Sequence, residues 1–320
     1  MVTALRTLTL SYAGPEGAGA APEYIAEYAV LGGPASSRPV SSSPVSSRPV
    51  PSSPVPSSPA PDGPHPPTTL FLHGLAGSIQ DTRPLASGLP GRKVFVHLPG
   101  HGRSTGPDPL SYDALAAAAL AVADHEHATA AVGVSLGAAT LLRILARDPG
   151  RFERVVLYLP AVADVPRAPE SVAPHRALAD RLAAGDADGV AAALLRTQPT
   201  AVRTGLVART WAARRAKELL AELAASGDDP RRWLPLAAAV PLEPADLPRL
   251  HEVRAPVLVI GQEGDTAHPS AIARQVAAAL PTARLVVFDE QGALWGHRTE
   301  LRDLMAGFLR DPLGADPVRS

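Results

Sequence analysis

Residues 129–148 read TAAVGVSLGAATLLRILARD and predict a buried strand, a sharp turn at Ser135 and a helix. Residues 130–134 form a short apolar run with two valines, which is typical of a buried strand, and the longer apolar run after Ser135 is typical of a helix. Gly133 and Gly137 allow the close backbone approach that such a turn requires. A turn of this kind exposes the serine hydroxyl and sets the amide of Leu136 at a helix N-terminus. We therefore expect Ser135 to be a nucleophile, although a purely structural Gly/Ser turn would share the pattern.

Outward from this segment, short apolar runs alternate with helical stretches. Further strands are predicted at 68–72, 94–98, 155–159, 257–260 and 284–288, and helices at 112–125, 136–148 and 299–309. Such alternation predicts an α/β fold with a mostly parallel sheet that helices cover on both faces. The strand pattern disappears between about 161 and 250, where only helical stretches are found. This region predicts an all-helical cap, residues 161–250, inserted after the sixth strand.

The N-terminal part adds two elements of different character. Residues 3–12 and 23–31 have strand patterns and predict a β-hairpin. Residues 34–67 are nearly all Pro and Ser and contain a five-residue repeat that begins SSRPV at 36. We expect this insertion to be disordered or polyproline-like, serving as an expanded loop or as a docking site for a proline-binding module. The predicted division is a hairpin (1–33), the insertion (34–67), the first core part (68–160), the cap (161–250), the second core part (251–312) and a flexible tail (313–320).

Composition limits the classes of function. The 320 residues carry a net charge of −1, and 46% of them are hydrophobic. Nucleic-acid binding is not expected from this balance, since such proteins usually carry a basic excess. The absence of cysteine excludes disulfides and thiolate sites. No stretch reads as a signal peptide or a membrane span, so a cytoplasmic protein without membrane partners is the default expectation.

Four motifs together resemble the α/β-hydrolase fold superfamily, in its cap-bearing serine esterase and haloperoxidase-like branch. Besides the elbow at Ser135, they are HGLAGS at 73–78, LPGHGRS at 98–104, GQEGDTAHP at 261–269 and LWGHR at 294–298. The resemblance covers nearly the whole chain outside 34–67, and it implies an eight-stranded, mostly parallel sheet. One position departs from the family pattern: His97 stands where the family usually has Asp before the 98–104 turn.

The resemblance also implies the remaining parts of a catalytic triad. Asp265 has the spacing of the family's acid, and His297, after Gly296, stands where the family places the base. The amide of Leu75 would be the second oxyanion donor, beside Leu136. The order Ser135, Asp265, His297 along the chain is the one expected for this fold.

Rival residues exist for the acid and for the base. Glu263 and Asp164 are alternative acids that also follow predicted strands. His268 is an alternative base, for which its place beside the acid and before Pro269 favours a loop-bracing role instead.

These expectations define a function. The triad would hydrolyse a carboxylic ester, lactone or thioester through an acyl-enzyme, with a small acyl compound as substrate and without cofactor or metal. The same triad would also serve C–C bond, peptide or perhydrolase chemistry, and a non-catalytic binding protein is a third hypothesis. Trp211, Trp233 and Trp295 are candidates to line the substrate pocket. Substrate identity and oligomeric state are not predicted by the sequence.

Overall fold

Eight strands form one mostly parallel sheet in the computed structural model, which describes residues 4–11, 23–32, 67–198 and 200–311. The spatial order of the strands is β1-β2-β4-β3-β5-β6-β7-β8. Strand β2 pairs antiparallel with β1 on one side and with β4 on the other, and all the other pairs are parallel. In chain order the strands are β1 (Leu5–Ser11), β2 (Glu23–Leu31), β3 (Thr69–Leu72), β4 (Lys93–Val96), β5 (Ala130–Val134), β6 (Arg154–Tyr158), β7 (Val257–Gln262) and β8 (Ala283–Phe288).

Helices connect the parallel strands, because a parallel pair needs a crossover connection. The short 3-10 turns are Arg83–Ala86 and Pro230–Trp233. The α-helices are α1 (Ile79–Thr82), α2 (Tyr112–His125), α3 (Leu136–Arg147), α4 (Pro169–Ala183), α5 (Ala187–Arg196), α6 (Thr200–Arg203), α7 (Leu206–Ser226), α8 (Leu234–Ala238), α9 (Leu247–Leu250), α10 (Ser270–Ala279), α11 (Ala293–Gly296) and α12 (Arg298–Arg310).

The two faces of the sheet bury separate apolar clusters, because alternate strand residues point to opposite faces. In β3, Leu70 and Leu72 belong to the cluster that packs against α2, α3 and α10. Phe71 belongs to the other cluster, which packs against α1 and α12. All three side chains are fully buried. The sheet is therefore covered on both faces, as the alternation of strands and helices predicted.

The predicted topology is confirmed: the protein has an eight-stranded, mostly parallel sheet flanked by helices. β1 and β2 pair with Leu5 opposite Ala29, as a hairpin would. The described residues between β6 and β7 contain helices and no strand, which is consistent with the helical cap. Most of the predicted Pro/Ser insertion and the whole tail lie outside the described residues. The domain boundaries themselves stay a prediction.

No helix in the described part of the chain has both the length and the hydropathy needed to cross a bilayer.

The structure explains why His97 can replace the acid that the family usually has. A carboxylate still reaches this place, but it comes from Glu27 in β2. Glu27 Oε2 accepts hydrogen bonds from the backbone N–H of Arg103 at 3.0 Å and from His97 Nδ1 at 2.7 Å. Burial raises the pKa of Glu27, but the hydrogen bonds from His97 and Arg103 outweigh burial, so the pKa lies below its ordinary value. The 98–104 turn is thus held from the neighbouring antiparallel strand.

Replacing Glu27 by leucine should lower the free energy of unfolding by about 1–3 kcal/mol, because the buried ring of His97 and the part-buried N–H of Arg103 lose their acceptor. Urea denaturation measures this loss. Glu23→Leu, at an exposed position of the same strand, is the matched control and should change stability by only about 0.5 kcal/mol. Equal effects of the two substitutions would show that the carboxylate of Glu27 does not hold the turn.

Candidate active site

Ser135 occupies a strained turn between β5 and α3. Its φ is 51° and its ψ is −105°, a conformation that a non-glycine residue seldom adopts. The backbone N–H of Ser135 donates to Tyr158 O at 2.9 Å, which ties the turn to β6. A side chain at position 137 would collide with the backbone of Leu72, and one at position 133 with the backbone of Gly137. Both glycines of the predicted elbow are therefore required by close packing.

The loop after β7 folds back on itself around the carboxylate of Asp265. Asp265 Oδ1 accepts the backbone N–H of Ala267 at 2.9 Å and that of His268 at 3.1 Å. An aspartate that bonds the backbone two and three residues ahead forms a local turn. This turn brings the side chain of residue 268 back towards residue 265.

His268 bridges Asp265 and Ser135. Its Nδ1 lies 2.9 Å from Asp265 Oδ2, and its Nε2 lies 2.9 Å from Ser135 Oγ. Because a carboxylate only accepts hydrogen bonds, Nδ1 is the protonated nitrogen and donates to Asp265. Nε2 is then free to accept the proton of the Ser135 hydroxyl. The three side chains form a continuous chain of hydrogen bonds from carboxylate to hydroxyl.

Gln262, at the end of β7, orients the other side of the acid. Its Nε2 donates to Asp265 Oδ2 at 2.7 Å, and its Oε1 accepts the backbone N–H groups of Gly292 and Ala293 at 3.0 and 3.2 Å. Burial raises the pKa of Asp265, but the hydrogen bonds and charge of His268 and the amide of Gln262 outweigh it and lower the pKa to about 2. The carboxylate is therefore ionised at neutral pH.

The expectation that His297 contacts Ser135 and Asp265 is wrong in its geometry. His297 is the last residue before α12, and its partly exposed ring faces two other carboxylates. Its Nδ1 lies 3.1 Å from Glu300 Oε2, and its Nε2 lies 3.5 Å from Glu290 Oε1. The turn at 292–293, which precedes His297, is hydrogen-bonded to Gln262. The position beside Ser135 Oγ is occupied by the ring of His268.

The two rival acids have partners elsewhere. Glu263 accepts hydrogen bonds from Ser270 Oγ at 2.7 Å and from Arg274 at 2.8 Å. Asp164 accepts from Gln275 Nε2 at 2.6 Å. Of the three predicted candidates for the acid, the structure brings only Asp265 to the histidine that contacts Ser135.

The two expected oxyanion donors flank the serine. Leu136 is the first residue of α3, where a helix leaves its amide N–H groups without an intrahelical acceptor. The HGLAGS loop lies against the elbow: a side chain at Gly74 would come within 3.5 Å of Ser135 Cβ. The Gly137 N–H also donates to His73 O at 3.0 Å, which joins this loop to α3. The amide of Leu75 is thus carried by a backbone segment adjacent to Ser135.

The three tryptophans have different environments. Trp233 is buried, stacks on His101 with ring centroids 5.0 Å apart, and donates from Nε1 to Gly100 O at 2.8 Å. Its ring packs inside the protein, and its role in a pocket stays a prediction. Trp211 of α7 and Trp295 of α11 are half-buried and meet edge to face at 5.8 Å. Their role in a pocket stays a prediction.

Two residues at this site differ from the sequence-based expectation. The sequence favours a loop-bracing role for His268, and it gives no role to Gln262. The spacing of Asp265 and His268 carries a usable signal, because an aspartate-capped turn returns the third residue to the carboxylate. Gln262 carries no comparable signal, since its role depends on the contact between β7 and the 292–293 turn. Within the described ranges, no three His, Cys, Asp or Glu side chains are arranged to hold a metal ion.

Comparison with known proteins places these features in a family. A model of the alpha/beta hydrolase family matches residues 69–304. No curated protein sequence matches the chain closely enough to count as a relative.

Solved structures share the fold over most of the chain. An enol-lactonase from Burkholderia xenovorans LB400 is 20% identical, with a TM-score of 0.62 over 90% of this chain and 97% of that one. A thermophilic esterase from Thermogutta terrifontis is 15% identical, with a TM-score of 0.66 over 95% and 98%. An esterase from Rhodococcus sp. ECU1013 is 18% identical, with a TM-score of 0.64 over 96% and 98%. At these identities the likeness shows the fold alone.

Proposed function

The chain belongs to the alpha/beta hydrolase family, and on that basis we propose that it is a serine hydrolase that cleaves a carboxylic ester, lactone or thioester. The observation that carries this proposal is the position of His268 between Ser135 Oγ and Asp265 Oδ2, at 2.9 Å from each. The similar structures, which include two esterases and an enol-lactonase, support the same class of substrate. Ser135, His268 and Asp265 are the proposed catalytic triad.

The proposed reaction begins with proton transfer. His268 Nε2 takes the hydroxyl proton of Ser135 while Oγ forms a bond to the substrate carbonyl carbon. The carbonyl oxygen becomes an oxyanion, which the amides of Leu75 and Leu136 stabilise. Asp265 holds the imidazole in its Nδ1–H tautomer and stabilises the imidazolium that forms. When the intermediate collapses, the leaving alkoxide or thiolate takes the proton from His268 Nε2, and the acyl group remains on Ser135.

Deacylation repeats these steps with water. His268 Nε2 removes a proton from a water molecule whose oxygen bonds to the acyl carbon. Collapse of the second oxyanion breaks the bond to Oγ, and Ser135 recovers its proton from His268. The products are a carboxylic acid and an alcohol or thiol, and the triad returns to its starting state.

The protein should hydrolyse p-nitrophenyl acetate and butyrate with a burst of p-nitrophenol, because p-nitrophenolate is a good leaving group and acylation is then faster than deacylation. A panel that adds lactones and acyl thioesters defines the preferred leaving group. Covalent labelling by a fluorophosphonate, located by peptide mass spectrometry, should fall on Ser135. Absence of both turnover and labelling would contradict the proposed function.

A further inference from the structure

A buried arginine of the cap contacts the loop that carries Leu75. Arg215, on α7, is only 2% exposed. Its Nη2 donates to two backbone carbonyls of the core, Ala76 O and Gly77 O, each at 3.0 Å. Hydrogen bonds from a charged donor are about twice as strong as neutral ones. One side chain of the cap therefore fixes two consecutive peptide groups beside the proposed oxyanion hole.

Carboxylates hold the guanidinium in its place. Arg215 Nη1 donates at 2.9 Å to Oε1 of Glu222, which lies about two turns further along α7. Glu218 lies 3.6 Å from Nη1, and Asp81 of α1 lies 3.9 Å from Nε. A buried charge is tolerated only when it is paired and hydrogen-bonded. The orientation of Arg215 is thus set from both the cap and the core.

Two peptide groups connect Arg215 to the amide of Leu75. Ala76 O, which accepts from Arg215, belongs to the same planar peptide group as the N–H of Gly77. That N–H donates to Gly74 O at 2.9 Å. Gly74 O in turn shares a peptide group with the N–H of Leu75. Because a trans peptide is planar and its C=O and N–H point in opposite directions, fixing the first group constrains the direction of the last.

A histidine holds the same loop from the core side. The backbone N–H of Ala76 donates to His101 Nε2 at 3.1 Å. Burial of His101 lowers its pKa to about 3, so the ring is neutral and able to accept. Ala76 has a φ of 55°, in the left-handed region, which costs a non-glycine residue about 1 kcal/mol. Such a conformation persists only where the surroundings hold it, and here Arg215 and His101 do so.

We propose that Arg215 is a positioning residue that couples the docking of the cap to the geometry of the oxyanion hole. The inference rests on the proposed function, because it assigns Arg215 an effect on the Leu75 donor. Arg215 acts through the backbone of the 74–77 loop. When the cap is docked, the loop is held with its Leu75 amide oriented for the developing charge. When α7 moves away, that orientation loses its support from the cap.

Arg215→Met keeps the apolar stem and removes the guanidinium. We expect kcat per active site to fall about 10- to 100-fold, less than the full loss of an oxyanion donor. The binding of an aliphatic trifluoromethyl ketone, whose adduct carries an oxyanion, should weaken in parallel. KM and the pH profile should change little, because Asp265 and His268 are not contacted. Fluorophosphonate titration to completion counts the active sites, so a loss of folded protein does not enter kcat.

Arg214→Met is the matched control on the same helix. The Arg214 side chain is 67% exposed and has one ion pair, with Glu218 at 3.5 Å. It should retain kcat within about twofold. A kcat for Arg215→Met within the same range, in a protein whose wild type is active, would overturn the inference and leave the proposed function intact. An inactive, unlabelled wild type would instead refute the proposed function.

Arg215→Lys keeps a positive charge near Glu222 but loses the planar fork that serves two carbonyls. Arg215→Lys is measured in place of Arg215→Met if the methionine variant does not fold. Its kcat per titrated site and its affinity for the ketone should both fall, at an unchanged pH profile. Wild-type values of both quantities would overturn the inference, because an ion pair alone would then suffice.

Discussion

Replacing His268 by asparagine should lower kcat by about 10⁴- to 10⁶-fold for any ester that the protein hydrolyses. Asparagine cannot take a proton from the Ser135 hydroxyl at neutral pH, so the nucleophile stays a neutral alcohol. Residual turnover would come from the oxyanion donors and substrate binding. Initial rates with p-nitrophenyl butyrate, measured per mole of folded protein, determine the effect.

His297→Asn is the matched control, since it replaces the histidine that the family pattern favours as the base. The ring of His297 contacts Glu290 and Glu300 and is partly exposed. Its loss should leave kcat within about twofold. The reverse result, an inactive His297→Asn with an active His268→Asn, would refute the assignment of the base and restore the family pattern.

Ser135→Ala should abolish turnover to a similar extent, about 10⁶-fold in kcat, because no acyl-enzyme can form. The substitution removes one oxygen and leaves the strained turn with a small side chain. Fluorophosphonate labelling should be lost completely, and the burst of p-nitrophenol should disappear. Labelling is measured by intact mass.

An exposed serine of the cap serves as the control for this substitution. Ser171→Ala should keep both the labelling and the burst, because Ser171 is exposed and its hydrogen bond with His175 uses the backbone oxygen, which alanine retains. Turnover that survives Ser135→Ala would mean that another group is the nucleophile. Labelling that survives it would show the same by an independent measurement.

The fold was predictable because its determinants are local and repeated. Apolar runs with strand length, such as 130–134, recur between helical stretches, and burial on both faces of the sheet follows from them. The elbow was predictable for a similar reason. Its glycines lie four residues apart around Ser135, so the pattern can be read within one short segment, although the backbone that excludes a side chain at position 137 belongs to Leu72. Asp265 was singled out by the resemblance, because its spacing matches the acid of the family motif.

The histidine that contacts Ser135 was not predictable from the resemblance. The family pattern places a histidine after the last strand, and His297 satisfies that pattern in sequence alone. The structure obeys a local rule instead: the backbone amides of 267 and 268 bond Asp265, and this turn delivers His268. The role of Glu27 was missed for a different reason. The pairing of β2 with β4 brings the carboxylate of Glu27 to His97, which is 70 residues away in the chain. A pattern of neighbouring residues does not predict such a contact.

The turn at 265–268 carries two of the three proposed catalytic groups on four consecutive residues. The Asp265–His268 separation is therefore set within a single turn, by its own backbone hydrogen bonds. A displacement of this turn carries acid and base together, so it alters one catalytic distance, from His268 Nε2 to Ser135 Oγ. Alignment of the proposed triad then depends on this single distance, because the Ser135 elbow and the 265–268 turn each keep their own internal geometry.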